Sequence, residues 1–244
     1  MIEQLRSELR KLRTTRTVAV LLLVAVALAL LGIVAPGLSD TLDELAKEDT
    51  QRTLIGSAAT NAVFFSTFVG LLVVTTEFRY GTIRPTLVFE PRRRVVLVAK
   101  LASAALAGIL FAVVCLVVSF GVGLALLAAR NVDIALTGVH AFELVFGTVA
   151  ASALIAMLGV TVGALIRNQV GAIGALAAYI IGVETLLFAT VPSVGRYLPG
   201  QAANALAGLP TEDLLVPFSG AVVLIAWTLV FVALATLRTD RSDV

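Results

Sequence analysis

Glu184 stands inside an apolar run, about seven residues and so roughly 10 Å from that run's end. A carboxylate at such depth is costly, and its default reading is functional, either as a polar group in a translocation path or as a proton-coupled group. The alternative is a structural hydrogen bond to Ser, Thr or Arg196 across a helix interface, and the sequence leaves the two open. Glu143 follows His140 by three residues, so the two share a helix face, as a solvated pair at a rim or as members of a proton relay. Ser57, Asn61 and Thr67 form a polar stripe on another apolar run, with Phe64, Phe65 and Phe68 nearby. A mid-membrane amide either joins helices or faces a cavity.

Other chemistry is excluded by what is missing. The only lysines, Lys11, Lys47 and Lys100, precede Leu12, Glu48 and Leu101, so no P-loop lysine followed by Ser or Thr is present. One histidine and one cysteine cannot make a zinc cluster, and no metal site is expected. Cys115 lies in an apolar run and reads as a small buried hydrophobe. A serine protease would rest on His140 alone, without a Gly-x-Ser-x-Gly surround. No catalytic residues and no enzymatic activity are expected of this chain.

These side chains must be positioned by membrane helices. The chain is 59% hydrophobic and 14% charged, against about 25% charged in soluble domains. Its 244 residues hold six apolar segments, about 17–36, 54–76, 97–128, 142–166, 170–191 and 215–237, each long enough to span a bilayer. The expected fold is therefore an all-α integral membrane protein, a single domain over 1–244. Segment one is too long for a signal-peptide core and lacks a cleavage site, so it reads as an anchor. The step Arg167-Asn168-Gln169 is the weakest division. Placing the N-terminus inside puts 14 of the 18 Lys and Arg on the cytoplasmic side, both termini included.

Residues 1–16 carry Ile2, Leu5, Leu9 and Leu12 at helical spacing among charges, which predicts a helix lying in the membrane interface. Segment 37–53 is acidic and predicts a short surface helix. Segment 192–214, rich in Pro and Gly, predicts a re-entrant or interfacial helix. Between segments two and three lies a charged hairpin, 77–94, containing Glu77, Arg79, Gly81, Thr82, Arg84, Glu90 and Arg92 to Arg94, with turns at Pro85 and Pro91. Topology and anionic lipid explain its arginines. They do not explain its turns or its acids.

The run Glu77-x-x-x-Gly81-Thr82-Ile83-Arg84, with Pro91-Arg-Arg and Lys100-Leu101 after it, resembles the cytoplasmic hairpin of bacterial ABC transporter permeases of the ABC-two membrane family. Ser7 to Thr15 looks like their elbow helix, and Tyr197-Leu-Pro199 with Ala202–Gly208 is similar to the outer segment before their last span. The resemblance implies a six-span exporter subunit in the bacterial cytoplasmic membrane. Its implied partners are a second permease copy, separate ATPase subunits that hold ATP and Mg, and lipid, with no nucleic acid. By position it assigns coupling to Glu77, Arg79, Gly81, Thr82, Arg84, Arg92 and Arg93, and a path to Ser57, Asn61, Phe64 and Glu184. The rival expectation is an ion-coupled secondary transporter using Glu184, with Glu143 and His140 as a relay.

Overall fold

Backbone polar groups have no partner in hydrocarbon, so an apolar chain satisfies them internally as helices. In the computed structural model, which describes residues 2–241, every regular element is helical among the described residues. Six helices are long and apolar enough to cross a membrane.

Helix α1 (Ile2–Thr14) breaks at Thr15 into α2 (Arg16–Ser39), the first candidate span. The one-turn α3 (Leu42–Leu45) is closed by a capping box, in which Thr41 and Glu44 each accept from the other's backbone amide. Span two is α4 (Glu48–Tyr80), ended by Gly81 in the left-handed conformation at φ 69°. After α5 (Ile83–Phe89) comes span three, α6 (Arg93–Ala129), and then span four, α7 (Gly138–Ile166). Arg167, also left-handed at φ 58°, and the cap Asn168 divide α7 from α8 (Gln169–Ala177). Span five continues as a π-helical stretch (Ala178–Glu184) and α9 (Thr185–Thr190). Two short helices, α10 (Pro192–Gly195) and α11 (Pro199–Leu206), precede the last span, α12 (Pro217–Arg241).

Three expectations are refined. Span two starts at Glu48 rather than 54, because Gln51 is fully buried and serves the fold: its Nε2 donates to Leu45 O and Asp133 O at 2.9 Å, and its Oε1 accepts from Ala135 N. Its other end runs to Tyr80, so Glu77 and Arg79 belong to a membrane helix and not to a turn. The hairpin proper is Gly81–Arg92 and contains a helix of its own. The outer segment 192–214 holds two helices, of which α11 packs on α12 and α7.

The centre of the bundle is the seam between α4 and α7, which share the most extensive contact in the molecule. Small residues let the backbones meet. A Cβ at Gly159 would come within 2.1 Å of Thr67 O, and one at Gly70 within 1.9 Å of Ala156 O. The Gly159-Val-Thr-Val-Gly163 pattern is thus a packing surface. By contrast, α2 and span five bury little and turn Leu23, Leu31, Val170 and Ile181 outward, as a lipid-facing surface requires.

Candidate functional site

The bundle has two ends of different character. At the basic end, where α1 and the 81–92 hairpin lie, four charged side chains meet under α1. Lys100 Nζ on α6 lies 3.0 Å from Glu8 Oε2 and 2.9 Å from Glu77 Oε1. Lys11 Nζ lies 2.7 Å from Glu8 Oε1 and 2.6 Å from Glu77 Oε1. Glu8, Glu77 and Lys100 are buried, while Lys11 is half-exposed at the mouth. Burial alone would lower the Lys11 pKa, but its bonds to Glu77 and Glu8 outweigh it and hold the ammonium above the usual lysine range. Two acids and two bases balance, and each ammonium bridges both carboxylates. The cluster rivets α1, α4 and α6 together.

Glu77 is therefore occupied within the bundle and not offered to solvent. Around it, the predicted coupling residues divide. Arg79, Gly81, Thr82, Arg84 and Arg92 are exposed. Arg79 donates to Gln169 Oε1 at 3.3 Å, tying the end of α4 to the start of α8. Arg92 grips Glu90 at 2.8 and 3.1 Å, and that bond holds the Glu90 carboxyl below its usual range. Arg93 donates to Thr239 O at 3.0 Å and joins α6 to α12. The hairpin helix α5 also exposes Val88 and Phe89, at 78% and 88%.

Toward the far end, the predicted path residues separate into two hollows. Ser57 and Asn61 line one of about 380 Å3 with Pro36, Thr53 and Leu209. Asn61 Nδ2 donates to Ser57 O at 2.8 Å, and Ser57 Oγ donates to Leu54 O at 2.9 Å and reaches Ala29 O on α2 at 3.4 Å. Phe64 and Glu184 line the second, of about 230 Å3, between α4, α7, the π-helical stretch and α11. Thr60 borders both.

Glu184 is 2% exposed. Its Oε1 accepts from Gln201 N at 2.8 Å, and the Gly200 amide also faces it, so the carboxylate caps the first turn of α11. Glycine at position 200 lets the carboxylate approach this closely, since a Cβ there would come within 2.7 Å of Oε1 and push the side chain aside. The second oxygen, Oε2, is buried and has no hydrogen-bond partner. The bond to Ser, Thr or Arg196 that the sequence left open as the alternative is not made; Arg196 stacks on Tyr197, at 5.2 Å. The predicted relay residues are engaged elsewhere, His140 Nδ1 with Glu48 Oε1 at 2.6 Å and Glu143 near Arg52 at 3.9 Å.

Sequence reasoning missed Glu8, Lys11 and Lys100 as partners of Glu77. A signal existed in Lys100, whose position just inside an apolar run demands a buried counter-charge. Tyr179, Gln201 and Asn204, which line the Glu184 cavity, left no such signal.

The profile of a family described as a protein of unknown function (DUF2705) matches residues 37–244, and the chain belongs to that family. No curated protein matches the chain.

Proposed function

Within that family, whose description assigns no activity, we propose that this chain is the membrane-spanning subunit of an ATP-driven ABC exporter. Two copies pair in the bacterial cytoplasmic membrane with both termini in the cytoplasm, and separate ATPase subunits dock on the 81–92 hairpin. The observation that carries this reading is α5, a short helix at the tip of the basic end that exposes Val88, Phe89 and Arg84 together. An apolar pair beside an exposed cation, on a segment as polar as this one, suits a protein groove better than solvent.

The rivet gives that docking helix leverage. Helix α4 has 33 residues, about 50 Å at ~1.5 Å each, and runs from the far-end cap to Gly81. Force on α5 reaches α4 and α6 directly, and Glu77 with Lys100 and Glu8 holds those helices and α1 as one unit. The same α4 carries Phe64 and Thr67, which line the Glu184 cavity. ATP-driven closure of the partners changes the bundle only if α5 binds their closed and open states unequally.

Arg84 and Phe89 are the residues to test, since changing Glu77 would unseat Lys100. The chain is purified in mild detergent from its native cells and co-purifying proteins are identified by mass spectrometry. Recovery of a P-loop ATPase, reduced at least tenfold by Arg84→Ala with Phe89→Ala, is the expected result. A chain that comes down alone and still moves substrate on a proton gradient, abolished by Glu184→Gln, would replace this reading with ion-coupled transport.

A further inference from the structure

Glu184 has its carboxyl group facing a hollow and its fold duty already met. One oxygen caps α11, whereas Oε2 is buried and unpartnered. Among the described residues no cation lies within ion-pair distance of it, in contrast to Glu77. Glu77 Oε2 also has no hydrogen-bond partner, but two lysines neutralise that carboxylate, whereas Glu184 has, among the described residues, no cation and no donor on Oε2 and lines a hollow in which one can sit.

The walls narrow what that donor is. Val63, Ile155, Leu158 and Leu176 make an apolar floor, and Phe64 and Tyr179 supply aromatic surface. The π-helical stretch sets this arrangement. Its i→i+5 pattern, marked by Thr185 Oγ1 donating to Ile180 O at 2.9 Å, brings residues five apart toward one face. Tyr179 and Glu184 are five apart, and both line the cavity. Aromatic faces beside a carboxylate in an apolar hollow recognise an alkylammonium, which brings the positive charge, the N–H donor and the hydrocarbon body at once. Thr60 and Thr185 on the rim are exposed, so the cavity opens to the outside of the bundle.

We propose that the hollow between α4, α7, the π-helical stretch and α11 binds a lipophilic primary or secondary ammonium, with Glu184 Oε2 accepting its N–H and Phe64 and Tyr179 flanking its body. The inference rests on the exporter reading only for its role there, as the class of substrate carried; binding itself is a property of this chain alone. Two sources share the chemistry, a free lipophilic amine and the headgroup of phosphatidylethanolamine.

The test uses the full chain in nanodiscs of phosphatidylcholine and phosphatidylglycerol, whose headgroups carry no N–H ammonium, without any ATPase. Binding of tritiated 2-phenylethylamine is measured, with 2-phenylethanol as the neutral competitor. The expected result is saturable binding that 2-phenylethanol does not displace and that Glu184→Gln weakens at least tenfold, the loss of one charge-assisted bond. Displacement by added phosphatidylethanolamine assigns the site to lipid, and its failure assigns the site to a free amine. A second measurement needs no variant: consumption of the unmodified Glu184 peptide by carbodiimide in the native chain, with the acylurea and the amine-coupled amide both counted as product in peptide mass spectrometry, is slowed by the amine and not by the alcohol. Absence of saturable binding, or equal labelling with and without amine, overturns the proposal. Amine binding with no co-purifying ATPase leaves it standing and removes the exporter reading, while an ATPase partner without amine binding does the reverse.

Discussion

Glu77 and Glu184 are both buried carboxylates on long apolar helices, and they are held in opposite ways. Glu77 Oε1 receives two lysine ammoniums, so its charge is cancelled inside the bundle. Glu184 receives only backbone amides, whose partial charges orient a carboxylate without cancelling it. The first arrangement is neutral as a set of four charges, although Glu77 Oε2 itself has no hydrogen-bond partner, and losing one member leaves a bare charge. The second has no counter-charge among the described residues, and its Oε2 lies at a hollow where something that is not part of the chain can meet it. A buried acid therefore marks a binding position by its lack of a counter-charge, since burial alone is common to both.

The largest expected effect tests the closed member. Lys100→Met leaves Glu8 and Glu77 with only half-exposed Lys11, and removing one partner of a buried pair costs about 3–5 kcal/mol. Denaturant unfolding in mixed micelles should show that loss, and Glu8→Gln added to Lys100→Met should restore part of it. A loss under about 1 kcal/mol would mean that water reaches the cluster and that the contrast with Glu184 is smaller than drawn.

Next in size is the seam that joins the two regions. Gly70→Ala drives a methyl into Ala156 O, where a Cβ would sit at 1.9 Å. The helices must separate, at about 1–3 kcal/mol. Because α4 carries both Glu77 and the Phe64 wall, this variant should loosen both ends together, read as faster hydrogen exchange at α1 and at α11. Loss confined to one end would show that the seam does not couple them.

How far the sequence carried these arguments follows the same division. The helical spans were legible because lipid forces every such stretch to be apolar and about 20 residues long. Arg167-Asn168-Gln169 was legible as a break, and the structure realises it with a left-handed Arg167 and an Asn168 cap that accepts from Gly171 N. Helix ends were less so. Gln51 and Glu77 are polar and read as loop, yet each is buried: Gln51 bonds Asp133 O and Ala135 N, 82 and 84 residues away, and Glu77 Oε1 pairs with Lys11, 66 residues back, and with Lys100, which no local pattern encodes. The π-helical stretch was invisible for a different reason: Ala178 to Glu184 has the composition of any apolar helix, and its pitch depends on packing. Glu184 was visible as an oddity, but its cap on α11 joins residues 17 apart across a turn.

A smaller effect is expected where α11 is held. Trp227 Nε1 donates to Tyr197 O at 2.8 Å and pins the turn that presents the Gly200 and Gln201 amides. Trp227→Phe should cost about 1 kcal/mol, one hydrogen bond, and leave the basic end untouched. Hydrogen exchange should quicken at Gln201 and stay constant at α1. Equal change at both would argue against independent regions.

The smallest effect is the most telling. Glu184→Gln keeps an oxygen that can accept from Gln201 N, and its new amide donor points into a hollow edged by Thr60, Thr67 and Asn204. No cation is stranded, since none among the described residues pairs with the acid. The expected change in unfolding free energy is within about 1 kcal/mol, and its sign is toward greater stability, because an unpaired buried charge is removed. Set beside Lys100→Met in the same micelles, the two substitutions each neutralise one buried charge and should differ several-fold in cost. If Glu184→Gln proved as damaging as Lys100→Met, the carboxylate would be a structural member like Glu77, and the vacancy at Oε2 would have to be filled by the fold itself.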